Sequence, residues 1–204
     1  MESFSQSAWS VFNAAIEDYH KTDDVDAVEC NPYPSGSLEY LLYSKNWIDT
    51  VQWHLEDIIR DENIDPSEAL LIKRRIDSSN QKRTDLVEYI DSWFLQRYEA
   101  VVPSEDARIN TETPAWAVDR LSILALKIYH MALEAGRESA EESHRVKCGE
   151  KLKVLQEQKV DLGEAIDRLL EEIENGTVKM KVYKQMKMYN DESLNPILYG
   201  KGKA

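Results

Sequence analysis

The sequence predicts an all-α fold, an antiparallel helical bundle of five long helices plus a short C-terminal helix. Three observations predict it. Apolar residues recur at three- and four-residue spacing along most of the chain instead of alternating. Two helix starts are spelled out as an N-cap residue followed by Pro, Asp65-Pro66 and Thr113-Pro114. Only 7 Gly and 6 Pro occur in 204 residues, which disfavours a turn-rich β protein.

The length fits one domain, taken as residues 1–199 with a fraying tail at 200–204. A hydrophobic content of 42% is globular and supports a sizeable core. The net charge of −13 argues against nucleic-acid binding over the whole surface and against an anionic membrane partner. Cys30 and Cys148 show no CxxC spacing and read as reduced thiols. The opening MESFSQSAWS lacks a basic and an apolar signal region, and no apolar run is long enough to span a bilayer. A cytoplasmic protein without a membrane segment is expected.

Residues 4–20 predict the first helix, with Trp9, Phe12, Ile16 and Tyr19 at 3/4/3 spacing. His20 at its end complements the helix dipole and is given no chemistry. An acidic loop (Asp23, Asp24, Asp26, Glu29) and the turn NPYPSGS precede a second helix ending near Glu62. Asp65-Pro66-Ser67-Glu68 starts the third, which runs to about Tyr98 and forms an antiparallel hairpin with the second. After a loop, Thr113-Pro114 starts the fourth, apolar nearly all round and so placed at the centre of the bundle. Gly136 ends it, and Ser139-Ala140-Glu141-Glu142 reads as a capping box for the fifth helix, extending to Asn175-Gly176. The fifth carries a heptad line of Cys148, Leu152, Leu155, Leu162, Ile166, Leu169 and Ile173. Its first half is basic and its second acidic, so antiparallel pairing of two copies through residues 140–175 is expected to match opposite charges. The last stretch alternates Lys179, Lys181, Lys184 and Lys187 with Met and Tyr; it reads as a short helix and tail packed by Val182, Met186, Tyr189 and Tyr199.

The segment NWIDTVQWHLEDIIRD at residues 46–61 is the stretch to which a polar site is referred. One side is apolar; the other carries Asn46, Thr50, Trp53, Asp57 and Arg60, with His54 at its edge. A Trp in the middle of a polar face argues for a helix buried on both sides. On the third helix a second line reads Leu70, Arg74, Asp77, Gln81, Thr84, Glu88, Asp91, Leu95. Folding the hairpin about residue 64 brings Thr50 towards Asp77 and Asn46 towards Gln81 to Arg83. On the fourth helix, Asp119 lies in an apolar line and therefore demands a cation or several donors. His130, in the same line, reads first as a satisfied core histidine.

The segments NPYPSGSLEYLLYSKNWIDTVQWHLEDIIRD, KRRIDSSNQKRTDLVEYID, TETPAWAVDRLSILALKIYHM and KVYKQMKMYNDESLNPILY resemble the Bacteroidetes domain-of-unknown-function family labelled 4254. The resemblance implies an all-α protein of a gut or related Bacteroidetes bacterium and brings no activity with it. Two partial likenesses bear on chemistry. Glu88-Tyr89-Ile90-Asp91 is similar to the second half of the magnesium motif of MazG-like nucleotide pyrophosphatases. Glu56 and Asp57 fall where the first half would lie, but Ile59 and Arg60 replace its later carboxylate. Trp47 to His54 is similar to the Trp-to-His spacing of DinB-like bundles, whose remaining two histidines stand one turn apart. His130 and His144 are not so spaced, which argues against a His-rich zinc site.

The functional expectation is a small-molecule site between the second, third and fourth helices, acting on a phosphorylated metabolite or nucleotide. Asp57 and Asp77 would hold a divalent cation such as magnesium or serve as acid and base. His54 would move a proton. Arg83, Arg120 and Lys127 would hold a small anionic ligand, with Asn46, Trp53, Asp119 and His130 lining the site. The rival expectation is a non-catalytic binding or scaffold protein whose polar lines fix helix register. Nucleic-acid binding through the C-terminal lysines is disfavoured by the acidic bulk.

Overall fold

Helix starts follow the capping chemistry in most places. In the computed structural model, which describes residues 2–186, 191 and 193–200, α1 (Phe4–Tyr19) opens on a capping box between Ser3 and Gln6. Ser37 caps α2 (Leu38–Ile58) and Asp65 caps α3 (Pro66–Arg97) through the Ser67 and Glu68 amides. Thr113 caps α4 (Pro114–Gly136) through Trp116. The capping box expected at Ser139 does not form. A tight turn closed by the Ala140 amide on the Arg137 carbonyl uses those residues, and α5 (Glu142–Glu174) starts after Glu141 without a side-chain cap. α2 stops at Ile58, four residues before the expected end near Glu62.

The loop after α3 carries a feature absent from the sequence reading. A two-residue strand β1 (Arg108–Ile109) pairs in parallel with β2 (Val178–Lys179). Gly176, at φ +73°, makes the turn from α5 into β2, and its carbonyl accepts from the Ser104 amide. Val178 seals that end against Leu169 and Ile173. α6 (Pro196–Tyr199) is a single turn. Met186 and Tyr199 are exposed instead of packing the tail; Val182 is half-buried. Lys187, Tyr189 and residues 201–204 lie outside the described residues.

Helix directions follow from side-chain meetings. Gln52 on α2 reaches Asn80 on α3, and Asp49 reaches Arg83, so these two helices are antiparallel. Asn46 meets Ser122, and the His54 and His130 rings lie 5.5 Å apart, so α4 runs parallel to α2. Ser5 binds Asp167, placing the start of α1 beside the end of α5. Phe4 touches Phe94 while Tyr19 touches Trp47 and His54, so α1 also runs parallel to α2. The antiparallel description therefore holds from α2 to α5 and not for the α1–α2 pair. Residues 20–37 make the return trip, long enough to retrace a 16-residue helix of about 24 Å. Asn31 pins this return segment to α2 through the Tyr40 carbonyl and Ser44 hydroxyl, and Arg75 pins it to α3 through the Val25 carbonyl and Asp26.

Phe12, Ile16, Tyr43, Val87, Ile90, Phe94, Leu121, Leu126 and Ile166 form the main core, each at most 1% exposed. Burying a side chain of this size contributes about 1.5–3 kcal/mol. α4 is central over its first three turns; Leu133 near its end is exposed. The heptad line of α5 is used within the chain: Ile166 joins the main core, and Leu169 and Ile173 pack on Val178. Among the described residues, no helix is long and apolar enough to cross a membrane.

Candidate functional site

Because α1, α2 and α4 run the same way, His20, His54 and His130 arrive at one end of the bundle. His20 is the C-cap of α1, His54 lies one turn before the end of α2, and His130 lies in the second half of α4. One ring nitrogen from each lies within 4.8 Å of the other two. The Nδ1 atom of His20 is 2.7 Å from the Ile16 carbonyl. Only a protonated nitrogen faces a carbonyl at that distance, which leaves Nε2 of His20 as the ring atom that meets the cluster. That Nε2 is 3.3 Å from Nε2 of His54. Nε2 of His130 is buried and has no hydrogen-bond partner.

Aromatic rings fix the three imidazoles. Tyr19 stacks on His54 at 5.1 Å, Trp53 lies flat on His130 at 4.8 Å and 8°, and Tyr129 lies 4.4 Å from His20. Burial, followed by the His20 and His54 neighbours, pulls His130 down to about 4. Burial and His20 likewise lower His54. Both are therefore neutral near pH 7, the state in which imidazole binds a metal ion. His20 sits at the C-terminal, negative dipole end of α1, a field that favours a cation. Asp23 adds a carboxylate oxygen 3.8 Å from His54 Nε2.

This overturns three readings of the histidines. His20, given no chemistry, is a member of the cluster. His130 is no satisfied core histidine, since its Nε2 lacks a partner. The spacing argument against a His-rich site also fails: it asked for two histidines on one helix, whereas here each comes from a different element.

A second polar cluster sits deeper, where α2, α3 and α4 meet. Lys45 and Asp49 are an i,i+4 pair on α2 whose side chains are both 0% exposed. Asp49 also accepts from Arg83 Nε at 2.5 Å and from the Ser122 hydroxyl at 2.6 Å. Asp119 meets Lys45 at 2.7 Å and Arg83 at 3.3 Å. Asn46 donates to the hydroxyl and carbonyl of Ser122, and Thr50 donates to the Asn46 carbonyl. Two cations thus face two carboxylates. Burial pulls the Arg83 guanidinium down, and Asp49 and Asp119 more than reverse it.

A comparison with family models matches residues 39–182, more than half of the chain, to the family described as "Protein of unknown function (DUF4254)". The chain belongs to the DUF4254 family. The match takes in His54, His130 and the whole buried ion cluster, and starts after His20 and Asp23. No curated protein and no solved structure matches this DUF4254 chain.

The remaining candidate residues of the DUF4254 chain are spread over separate surfaces. Asp49, Trp53, Glu56, Asp57, Arg60 and Arg83 line a cavity of ≈ 290 Å³ beside the Trp53 ring, with exposed Asp57 at its rim. Asp77 does not line it; it is half-exposed and pairs with Lys73 on its own helix. Thr50, expected opposite Asp77, turns back to its own helix instead. Arg120 pairs with Glu112 and, with Lys127 and Asp119, lines a separate groove of ≈ 580 Å³ between α4 and α5. Sequence reasoning missed Lys45 and Asp49 as well as His20 and Asp23. The Lys–Asp spacing at i,i+4 is the signal for the first pair, though on sequence alone it matches any solvated helix face.

Proposed function

We propose that this protein binds a borderline transition-metal ion, zinc the first candidate, through His20, His54 and His130. The observation that carries the reading is the convergence of three imidazoles on one point, with the buried His130 Nε2 unpaired. Zinc–nitrogen bonds of about 2.0–2.1 Å put tetrahedral ligand atoms about 3.3–3.4 Å apart. The His20–His54 separation of 3.3 Å fits that edge. Imidazole nitrogens suit zinc and its neighbours and not magnesium, which takes oxygen ligands. A magnesium ion would instead need carboxylates such as Glu56 and Asp57 in the adjoining cavity.

A metal on three imidazoles keeps a position for water or substrate, and metal-bound water is a nucleophile at neutral pH. Hydrolysis of a phosphorylated metabolite or nucleotide is the reaction class this reading favours, with Arg60 at the cavity rim, paired with Glu56 on its own helix at an exposed position, the cation an anion would meet. Arg83 is already engaged by Asp49 and Asp119.

The test starts with metal analysis of the purified protein. We expect one equivalent of zinc, lost in His54→Ala. Zinc at a hundred times its dissociation constant should raise the melting temperature by about 5–10 °C for a chain of this size. No metal uptake and no melting shift would end the reading. Nucleotide hydrolysis, assayed with Asp57→Asn as a control, then separates a catalytic from a structural ion.

A second reading, a non-catalytic scaffold, is favoured by the mutual pairing of the Lys45, Asp49, Arg83 and Asp119 charges, which suits a register-fixing role. A homodimer through residues 140–175 belongs with it. Val146, Val154 and Val160, 55–56% exposed on α5, are apolar positions open to a second copy. A solution mass of one chain would count against that dimer.

A further inference from the structure

Three ring nitrogens, one each from His20, His54 and His130, gather at the end of the bundle, and Oδ1 of Asp23 stands beside them, 3.8 Å from His54 Nε2. Without a cation, His54 Nε2 and His20 Nε2 meet each other at 3.3 Å, and Nε2 of His130 stays unpaired. One cation among the three nitrogens would engage each of them, and rotation of the Asp23 side chain would bring its carboxylate to the same ion.

Asp23 is placed there by its backbone. At φ 52° it is one of two non-glycine residues in the left-handed region among those described, a region where Asp and Asn are tolerated best. Its amide donates to the Tyr19 carbonyl at 3.0 Å, closing the end of α1. The reversal turns the carboxylate back over the cluster, where Oδ1 stands 3.8 Å from His54 Nε2. That separation exceeds the tetrahedral edge of a zinc site by about 0.5 Å, and the carboxylate lies outside the group of three nitrogens within 4.8 Å of one another, so ligation takes a side-chain rotation. The side chain is 64% exposed, so its torsions are not locked by packing. Asp57 lines the neighbouring cavity instead.

We propose that Asp23 supplies the fourth ligand, closing a three-histidine, one-carboxylate metal site that opens to a substrate only when the carboxylate swings away. The proposal rests on the three-histidine reading above. It makes the resting site closed, with two protein anions (Asp23 and Asp57) near a divalent ion, and it gives the return segment a direct hold on the metal.

Cobalt(II) is the probe, because its visible absorption reports ligand number and type. The apo protein, Asp23→Asn and His54→Ala are titrated with cobalt(II) at pH 7.5, with far-ultraviolet circular dichroism checking that each is folded. Asn keeps the size and the left-handed backbone and removes the anionic ligand. We expect Asp23→Asn to bind about tenfold or more weakly, by analogy with losses at metal-site partners, and with a shifted absorption band. Weaker binding with an unchanged band would mean that Asp23 acts only through space and would overturn the ligand assignment. Equal affinity and equal spectrum would overturn it too, leaving the three-histidine site standing. Absence of cobalt uptake by the unmodified protein would strike the three-histidine reading itself.

Discussion

Replacing Asp49 by Ala separates the structural role of the buried ion cluster from any ligand chemistry. Asp49 is 3% exposed and accepts from Lys45, Arg83 and Ser122. Its loss leaves two cations, Lys45 and Arg83, facing Asp119 alone at 2.7 and 3.3 Å. Lys45 is 0% exposed and cannot reach water without unpacking α2. Removing one member of a buried ion pair costs about 3–5 kcal/mol, most of it the charge left uncompensated. For a chain of this length that lowers the melting temperature by about 6–20 °C. The assay is thermal unfolding followed at 222 nm in the presence of a chelator, so that metal binding does not contribute. Asp49→Asn, which keeps an acceptor and removes the charge, should fall between the two. Asp57→Ala is the control: that residue is exposed, and its loss should change stability by no more than about 0.5 kcal/mol. A cost below about 1 kcal/mol for Asp49→Ala would refute the claim that this cluster holds the three helices in register.

Two further outcomes test other parts of the fold. Asp91 is 2% exposed, and burial raises it from 3.8 to about 6, against the Thr113 hydroxyl that lowers it. The folded state therefore binds a proton that the unfolded chain does not between those two values, so stability from this group rises as pH falls from 7 towards 4, by on the order of 2–3 kcal/mol. Urea midpoints across that range should show a smaller rise in Asp91→Asn than in the unmodified protein; equal slopes would contradict the assignment, the histidine contributions being common to both. At Gly176, a Cβ would stand 3.1 Å from the Val102 carbonyl at a φ of +73°, so Gly176→Ala should cost about 1–3 kcal/mol. Unchanged stability would mean that the β1–β2 junction adapts freely.

The helices were legible because their signals are local. Asp65-Pro66 and Thr113-Pro114 announce starts within a few residues, and the 3/4 spacing of Trp9, Phe12, Ile16 and Tyr19 fixes a buried stripe without knowledge of its partner. The need of Asp119 for cations was legible on the same footing, since an acid in an apolar line has to be paired; Lys45 and Arg83 meet it. The buried polar face of α2 was half legible: Trp53 signalled burial, and Asn46 and Thr50 are both 0% exposed. The histidine cluster was not, because its members sit on three elements and meet only if α1 runs parallel to α2. That direction is set by how far residues 20–37 travel, and composition carries no such distance. The β1–β2 pair escaped for a related reason: two-residue strands hold no periodicity to detect.

The return segment has a thermodynamic corollary. A hairpin partner is tethered by a few residues, but α1 is joined to α2 by an eighteen-residue segment held at Asn31 and Asp26, and side-chain contacts keep the helix in its berth. An ion shared by His20 and two later helices would clasp the leading helix to the bundle, so that each tenfold excess over its dissociation constant adds about 1.4 kcal/mol to keeping α1 docked. Metal supply would then set how firmly the first sixteen-residue helix is held to the rest of the core.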